Sequence, residues 1–348
     1  MKAKTFFIAV LACVLACFGG LVLLVSAEDP FFVMGGIGRE ETAPFSNQRY
    51  EMAGLIRHQD YSAVVMGTSL VANFRASWFT EGLGEETLKI TFPDGWISEF
   101  DTALNLAFLT HPDLNTVLFC LDPNIIIRPD SQRTVELPSY LYNRNPFDDV
   151  EYLLNADTCK LVLDALLARN SDRVPLDEAY IWDGKYEFSW SAALGAYDRP
   201  EKAGEPLPAD AYLAAAQANM DVVCSWIEEH PDVRFKIWFP PYSILYWDKA
   251  QREGTTEAIL TALEYACGRL VSDETVRLYS VLSDEWIITD LGRYTDHIHC
   301  SSEVTKQTAQ WVIDDVWRIW PGIYEAYIDN LRQFVNSYDY DAIFKLKG

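Results

Sequence analysis

The chain is short of basic residues and of histidine. Its 348 residues carry 28 Lys and Arg against 51 Asp and Glu, a net charge of -23, with five histidines. A field of that sign repels phosphate backbones and anionic lipid headgroups, which excludes nucleic acid as a natural partner and suits an uncharged or cationic substrate. Glycine (18) and proline (16) are sparse and no repeat or low-complexity tract is visible, so collagen-like and disordered chains are excluded. Cysteine is scarce and unpatterned. Beyond the N-terminal apolar run there are five, Cys120, Cys159, Cys224, Cys267 and Cys300, an odd number with no C-x-x-C spacing, which argues against a disulfide framework, a zinc ribbon or a redox dithiol. What the chain does hold is 49% hydrophobic and 14% aromatic residues, enough for a real core in one large domain or two small ones.

From Thr5 to Ala27 no residue is charged, with Lys2 and Lys4 before the run and Glu28 and Asp29 directly after it. The length suits a bilayer-spanning helix, and the flanking charges put the N-terminus inside and the rest of the chain outside. Val25-Ser26-Ala27 also fits the cleavage site of a signal peptide, so the chain is either a single-pass membrane protein with an extracytoplasmic domain or a secreted one.

Short apolar β-rich runs alternate with helical patterns beyond the leader, which predicts an α/β fold: a five-stranded, mainly parallel sheet with helices on both faces. The strands are expected at 63–66, 88–92, 116–121, 234–239 and 276–281. Helices are expected at 96–109, 209–229, 255–271, 301–317 and 323–335. A single domain over 28–348 would then carry an insertion at about 122–207, with a helix at 148–168 and a linker-like stretch at 199–208.

In an open parallel sheet, ligands bind outside the C-terminal ends of the strands. The segments arriving there are Gly67-Thr68-Ser69, Pro93-Asp94-Gly95-Trp96, Asp122-Pro123-Asn124, Pro240-Pro241-Tyr242 and the loop holding Asp296-His297-Ile298-His299. A serine at a strand-to-helix turn presents its hydroxyl at the crevice mouth. Asp296 and His299, three residues apart, form its natural base pair: the carboxylate fixes one imidazole nitrogen and the other takes the serine proton. Each piece has a plainer role, Ser69 as a capping serine and His299 as a satisfied surface histidine; their conjunction points to a nucleophilic site. Tyr242, Tyr246 and Trp247 are candidates for stacking on sugar rings, with core packing as the competing role. Neither a metal nor an organic cofactor is called for.

Val64-Val65-Met66-Gly67-Thr68-Ser69 and Asp296-His297-Ile298-His299 together resemble the first and last blocks of the SGNH, or GDSL-like, hydrolase superfamily, a flavodoxin-like three-layer fold, in order and topology over roughly 63–317. With the apolar leader, Leu121-Asp122 and Pro240-Pro241-Tyr242-Ser243, the chain looks like bacterial cell-surface members, akin to the D-alanyl transfer protein of teichoic acids and to alginate O-acetylation proteins. The resemblance implies Ser69 as nucleophile, His299 as base and Asp296 as its orienting acid. It also implies an oxyanion hole from the Ser69 amide, Gly95 and Asn124, although Asn124 follows Asp122-Pro123 rather than a Gly-x-Asn and has a turn role of its own. The expected activity is that of a serine esterase or O-acyltransferase on acyl groups of a cell-envelope polysaccharide. Expected partners are that glycan or acyl ester, the membrane through the N-terminal helix and, for transfer, a membrane-bound acyl donor protein. The alternative is a non-catalytic glycan-binding or scaffold protein that keeps the fold.

Overall fold

The computed structural model describes residues 3–145, 147–168, 173–182, 184–201 and 204–345. Lys2, residues 169–172 of the expected insertion and residues 202–203 of the linker-like stretch lie outside them. Where one domain over 28–348 is expected, the chain divides into two compact units, one taking in 1–60, 102–110 and 136–179, the other 61–101, 111–135 and 180–348.

In the first unit, Ala3–Glu28 is one apolar helix with a mean hydropathy of 2.9, long enough to cross a membrane. Its last turns meet the helices Val150–Leu153 and Ala156–Ala168, and Val25 is fully buried. The expected helix at 148–168 is broken at Asn155, whose Oδ1 accepts from the amides of Asp157 and Thr158 and so starts the second helix. Directly after the membrane-type helix, Asp29 takes a left-handed φ of 35°, and its carboxylate accepts from the amides of Val33, Met34 and Gly35 and from the Tyr152 hydroxyl. Two three-residue strands, β1 (Thr42–Pro44) and, far along the chain, β5 (Arg173–Pro175), pair antiparallel.

The second unit holds a six-stranded sheet of β2 (Ala63–Gly67), β3 (Thr87–Thr91), β4 (Thr116–Cys120), β6 (Arg234–Phe239), β7 (Val276–Ser280) and β8 (Arg318–Ile319). The order is β3-β2-β4-β6-β7-β8, with every pairing parallel except β7 with β8. The first five strands fall within one residue of expectation at each end, because strands covered on both faces read as continuous apolar runs. Leu213–Glu229, Thr256–Val271 and Tyr324–Ser337 pack on one another in series, while Ala76–Leu83 packs on Ser302–Ile313 as a separate pair. That grouping is consistent with helices on two faces of the sheet.

The sixth strand corrects the expected count. A helix was expected to run through to 317, but it stops at Ile313, where buried Lys236 of β6 donates to the carbonyls of Val312 and Ile313 and to Asp315. Capped by that ammonium, the chain reverses through left-handed Asp315 and Trp317 and returns as β8.

A buried carboxyl makes the first unit sensitive to pH. Glu51 in the helix Gln48–His58 reaches back so that Oε1 accepts from the amides of Ser46 and Asn47, but burial outweighs those bonds and raises its pKa from 4.5 to about 7. Between those two values the folded chain keeps a proton that the unfolded chain has released, so stability falls as pH rises through that window, by on the order of 3 kcal/mol. Urea unfolding at pH 5 and pH 7 is expected to show this loss, and Glu51→Gln to abolish it; an equal pH slope in both proteins would refute the assignment.

Candidate active site

The strand order sets the place. From β2 the chain moves outward to β3, then crosses back to β4 on the other side, so the C-terminal end of β2 is a topological switch point where crevices open in such sheets. Ser69 lies two residues past β2, as the first residue of the short helix Ser69–Ala72.

The turn that presents Ser69 is clamped from both neighbouring strands. Thr68 Oγ1 donates to Asp122 Oδ2 at 2.7 Å from the end of β4, and Thr91 Oγ1 donates to the Thr68 carbonyl at 2.9 Å from the end of β3. All three residues are buried. Asp122 also caps the helix Pro123–Ile127 by accepting from the Ile125 amide, and burial pushes its carboxyl above the usual range against the pull of those hydrogen bonds. Gly67 is required by close approach: a Cβ there would lie 2.5 Å from Val71 Cγ2 and 2.9 Å from Cys120 Cβ.

The histidine arrives on the loop after β7. That loop is closed by the paired Tyr294 and Cys300 and by the Thr295 amide donating to the His299 carbonyl at 3.1 Å. The segment after β6 supports it: the amide and hydroxyl of Ser243 donate to the His297 carbonyl at 3.2 and 2.8 Å, and the Tyr294 hydroxyl donates to the Pro241 carbonyl at 2.8 Å. Within the loop, Asp296 Oδ1 accepts from the amides of Ile298 and His299, both at 2.8 Å, and Oδ2 lies 2.5 Å from His299 Nδ1. Burial raises the Asp296 pKa, but the His299 contact and the two amides outweigh it and hold the carboxyl below its ordinary value. An ionised Asp296 accepts, so Nδ1 carries the proton and the Nε2 lone pair faces Ser69 Oγ, 2.8 Å away. The three expected catalytic residues are thus brought into one hydrogen-bonded line, with the His299 and Asp296 side chains still partly open to solvent.

The expected oxyanion donors are arranged differently. The Gly95 amide donates to the Phe92 carbonyl at 3.0 Å, closing a turn through left-handed Asp94, and Gly95 is small because Phe100 packs where a Cβ would be. Asn124 Nδ2 donates to the Tyr242 hydroxyl at 3.3 Å. Of the expected set, the Ser69 amide has no intrahelical acceptor, being the first of its helix.

The stacking role expected of Tyr242, Tyr246 and Trp247 is corrected. All three are buried, Tyr246 and Trp247 on the core face of the helix Ile244–Glu253 and Tyr242 just before it, and they present no ring face to a ligand.

Two residues that the sequence reading does not single out belong to the site. Buried Asn73, one helical turn after Ser69, accepts from the Trp182 amide at 3.0 Å and from the Ser302 hydroxyl at 3.0 Å, and its Nδ2 approaches the Cys300 carbonyl at 3.5 Å. The i, i+4 spacing from Ser69 is the one signal that could have drawn attention to it. Trp182 stands edge-on to the His299 ring, centroids 4.3 Å apart at 74°, and no local pattern announces it.

No family model matches the chain, and no curated protein matches it. One solved structure to which it is similar, described as "a putative platelet activating factor from Streptococcus pneumonia", shares 11% identity over 77% of this chain and 90% of that one, with a TM-score of 0.39. A likeness that distant carries no argument about this chain's reaction.

The tight seat of Gly67 makes a direct test of the nucleophile turn. Gly67→Ala is expected to destabilise the protein by about 1–3 kcal/mol. Thermal unfolding measures the effect; a wild-type value would contradict the packing described.

Proposed function

We propose that the chain is an extracytoplasmic serine esterase or O-acyltransferase acting on acyl groups of a cell-envelope polysaccharide. The observation that carries this reading is the continuous line from Ser69 Oγ through the His299 imidazole to Asp296. Ser69 Oγ attacks the acyl carbonyl carbon as its proton passes to Nε2, and the tetrahedral intermediate forms with its oxyanion toward the Ser69 amide. Collapse breaks the bond to the leaving oxygen, which takes the proton from Nε2 and departs as an alcohol, leaving an acyl-enzyme. Water or a sugar hydroxyl then gives its proton to Nε2 and attacks the acyl carbon, and collapse breaks the bond to Ser69 Oγ, which takes the proton back from Nε2, completing hydrolysis or transfer. Asp296 holds the tautomer and stabilises the imidazolium while it lasts. The glycan substrate follows the resemblance to cell-surface SGNH members.

The non-catalytic scaffold reading draws on the engaged Gly95 amide and Asn124 side chain. A serine-directed fluorophosphonate separates the two. Wild-type protein is expected to be labelled and Ser69→Ala not, while His299→Ala should lower aryl-acetate kcat/KM by about 10²–10⁴-fold. A wild type that binds glycan but takes no label would favour the scaffold, and labelling that survives Ser69→Ala would place the nucleophile elsewhere.

Placement outside the membrane, on a retained anchor, is supported by the apolar helix and by the way its end is built in. Cleavage after Ala27 would remove fully buried Val25 from the first unit, and the Asp29 knot begins two residues later. N-terminal sequencing of the membrane-extracted protein is expected to read from the leader; a chain beginning at Glu28 would show it to be a cleaved signal.

A further inference from the structure

We infer that Trp182 and Tyr186 form a stacking platform for a neutral pyranose ring of the substrate glycan beside His299. This rests on the acyl-transfer reading and names the part of the chain that selects its substrate.

The aromatic residues open to solvent around the site are not those after β6. They include Trp182, which is half-buried, and Tyr186, which is 57% exposed. Trp182 touches the His299 ring, and Tyr186 stands edge-on to Trp182, centroids 5.9 Å apart at 69°.

Two independent ties hold this segment in register with the catalytic groups. The Trp182 amide is fixed to Asn73, on the turn after Ser69, and the Ser189 amide donates to the Tyr294 carbonyl at 3.1 Å, at the base of the histidine loop. A ligand resting on the Tyr186 ring is thereby placed at a set distance from the nucleophile.

The chemistry of the segment favours a sugar. What sets the Tyr186 ring apart is its place beside Trp182 and His299, and its exposed face suits the C–H side of a pyranose. Exposed Glu187, which accepts at 2.7 Å from the half-buried capping hydroxyl of Ser189, offers a carboxylate partner for sugar hydroxyls. The net charge of -23 opposes a polyanion. An acyl chain is a poorer fit, because the cavity that Trp182 lines with Leu70, Phe74, Ile298 and Cys300 is about 10 Å³, room for a water and no more.

The test compares wild type, Tyr186→Phe and Tyr186→Ala on an aryl acetate and on O-acetylated xylo-, manno- and chito-oligosaccharides, with kcat and KM taken separately. Tyr186→Ala is expected to raise KM for at least one acetylated oligosaccharide about tenfold, with Tyr186→Phe close to wild type and the aryl acetate affected far less. Equal losses on both kinds of ester, equal losses in both variants, or an unmoved KM would overturn the platform. A second arm needs no turnover: quenching of tryptophan fluorescence by the unacetylated oligosaccharides, in Ser69→Ala and in Ser69→Ala with Tyr186→Ala. Saturable quenching weakened by loss of the ring supports the platform even if the wild type proves inactive and the acyl-transfer reading falls; quenching that is absent, or indifferent to residue 186, overturns the platform whatever the enzyme does.

Discussion

Ser69 and His299 are 230 positions apart in the chain and 2.8 Å apart in space. Everything else about the site answers to that one contact. A hydrogen bond of that length tolerates displacements of a few tenths of an ångström on either side, so both backbone segments must be held more firmly than surface loops usually are. On the serine side the hold comes from the ends of three adjacent strands, through Thr68, Thr91 and Asp122. On the histidine side it comes from the segment after β6, through Ser243 and Tyr294. Asn73 touches both sides at once.

These supports share a physical logic. Each is a buried or half-buried polar group whose hydrogen bonds are made within the protein, and each would be costly to leave unpaired. Asp122 shows the balance most clearly: burial raises its carboxyl, yet the Thr68 hydroxyl and the Ile125 amide give its oxygens defined partners. Apolar residues of the same volume would fill the space but would not specify which way the Thr68 carbonyl points. Polar pairing here determines direction, and the packing around it determines distance.

The sheet and the line from Ser69 through His299 to Asp296 are legible in the sequence because both depend on local cues. Strands covered on both faces are continuous apolar runs, and a parallel sheet delivers its strand ends to one edge, which singles out Ser69 and Asp296 with His299. The features that were not readable depend on partners distant in sequence. The Gly95 amide closes a turn onto the Phe92 carbonyl, and whether Tyr246 and Trp247 face solvent is decided by which side of a helix meets the core. The pairing of β1 with β5, three residues each with a proline in both, carries no periodicity that could show 136–179 joining the N-terminal residues. The Trp182 amide beside His299 is held by the Asn73 side chain, 109 positions away in the chain.

The margins of the sheet bear on how the protein behaves when crowded. β8, the outermost strand beside β7, is two residues long, too short to template another backbone. At the opposite margin β3 is five residues long but wholly covered, with the helices Ser69–Ala72 and Ala76–Leu83 packed against it. Neither border offers a row of unpaired amides and carbonyls to a neighbour. For a chain that an apolar helix would confine to two dimensions at high local density, that is a built-in guard against edge-to-edge aggregation.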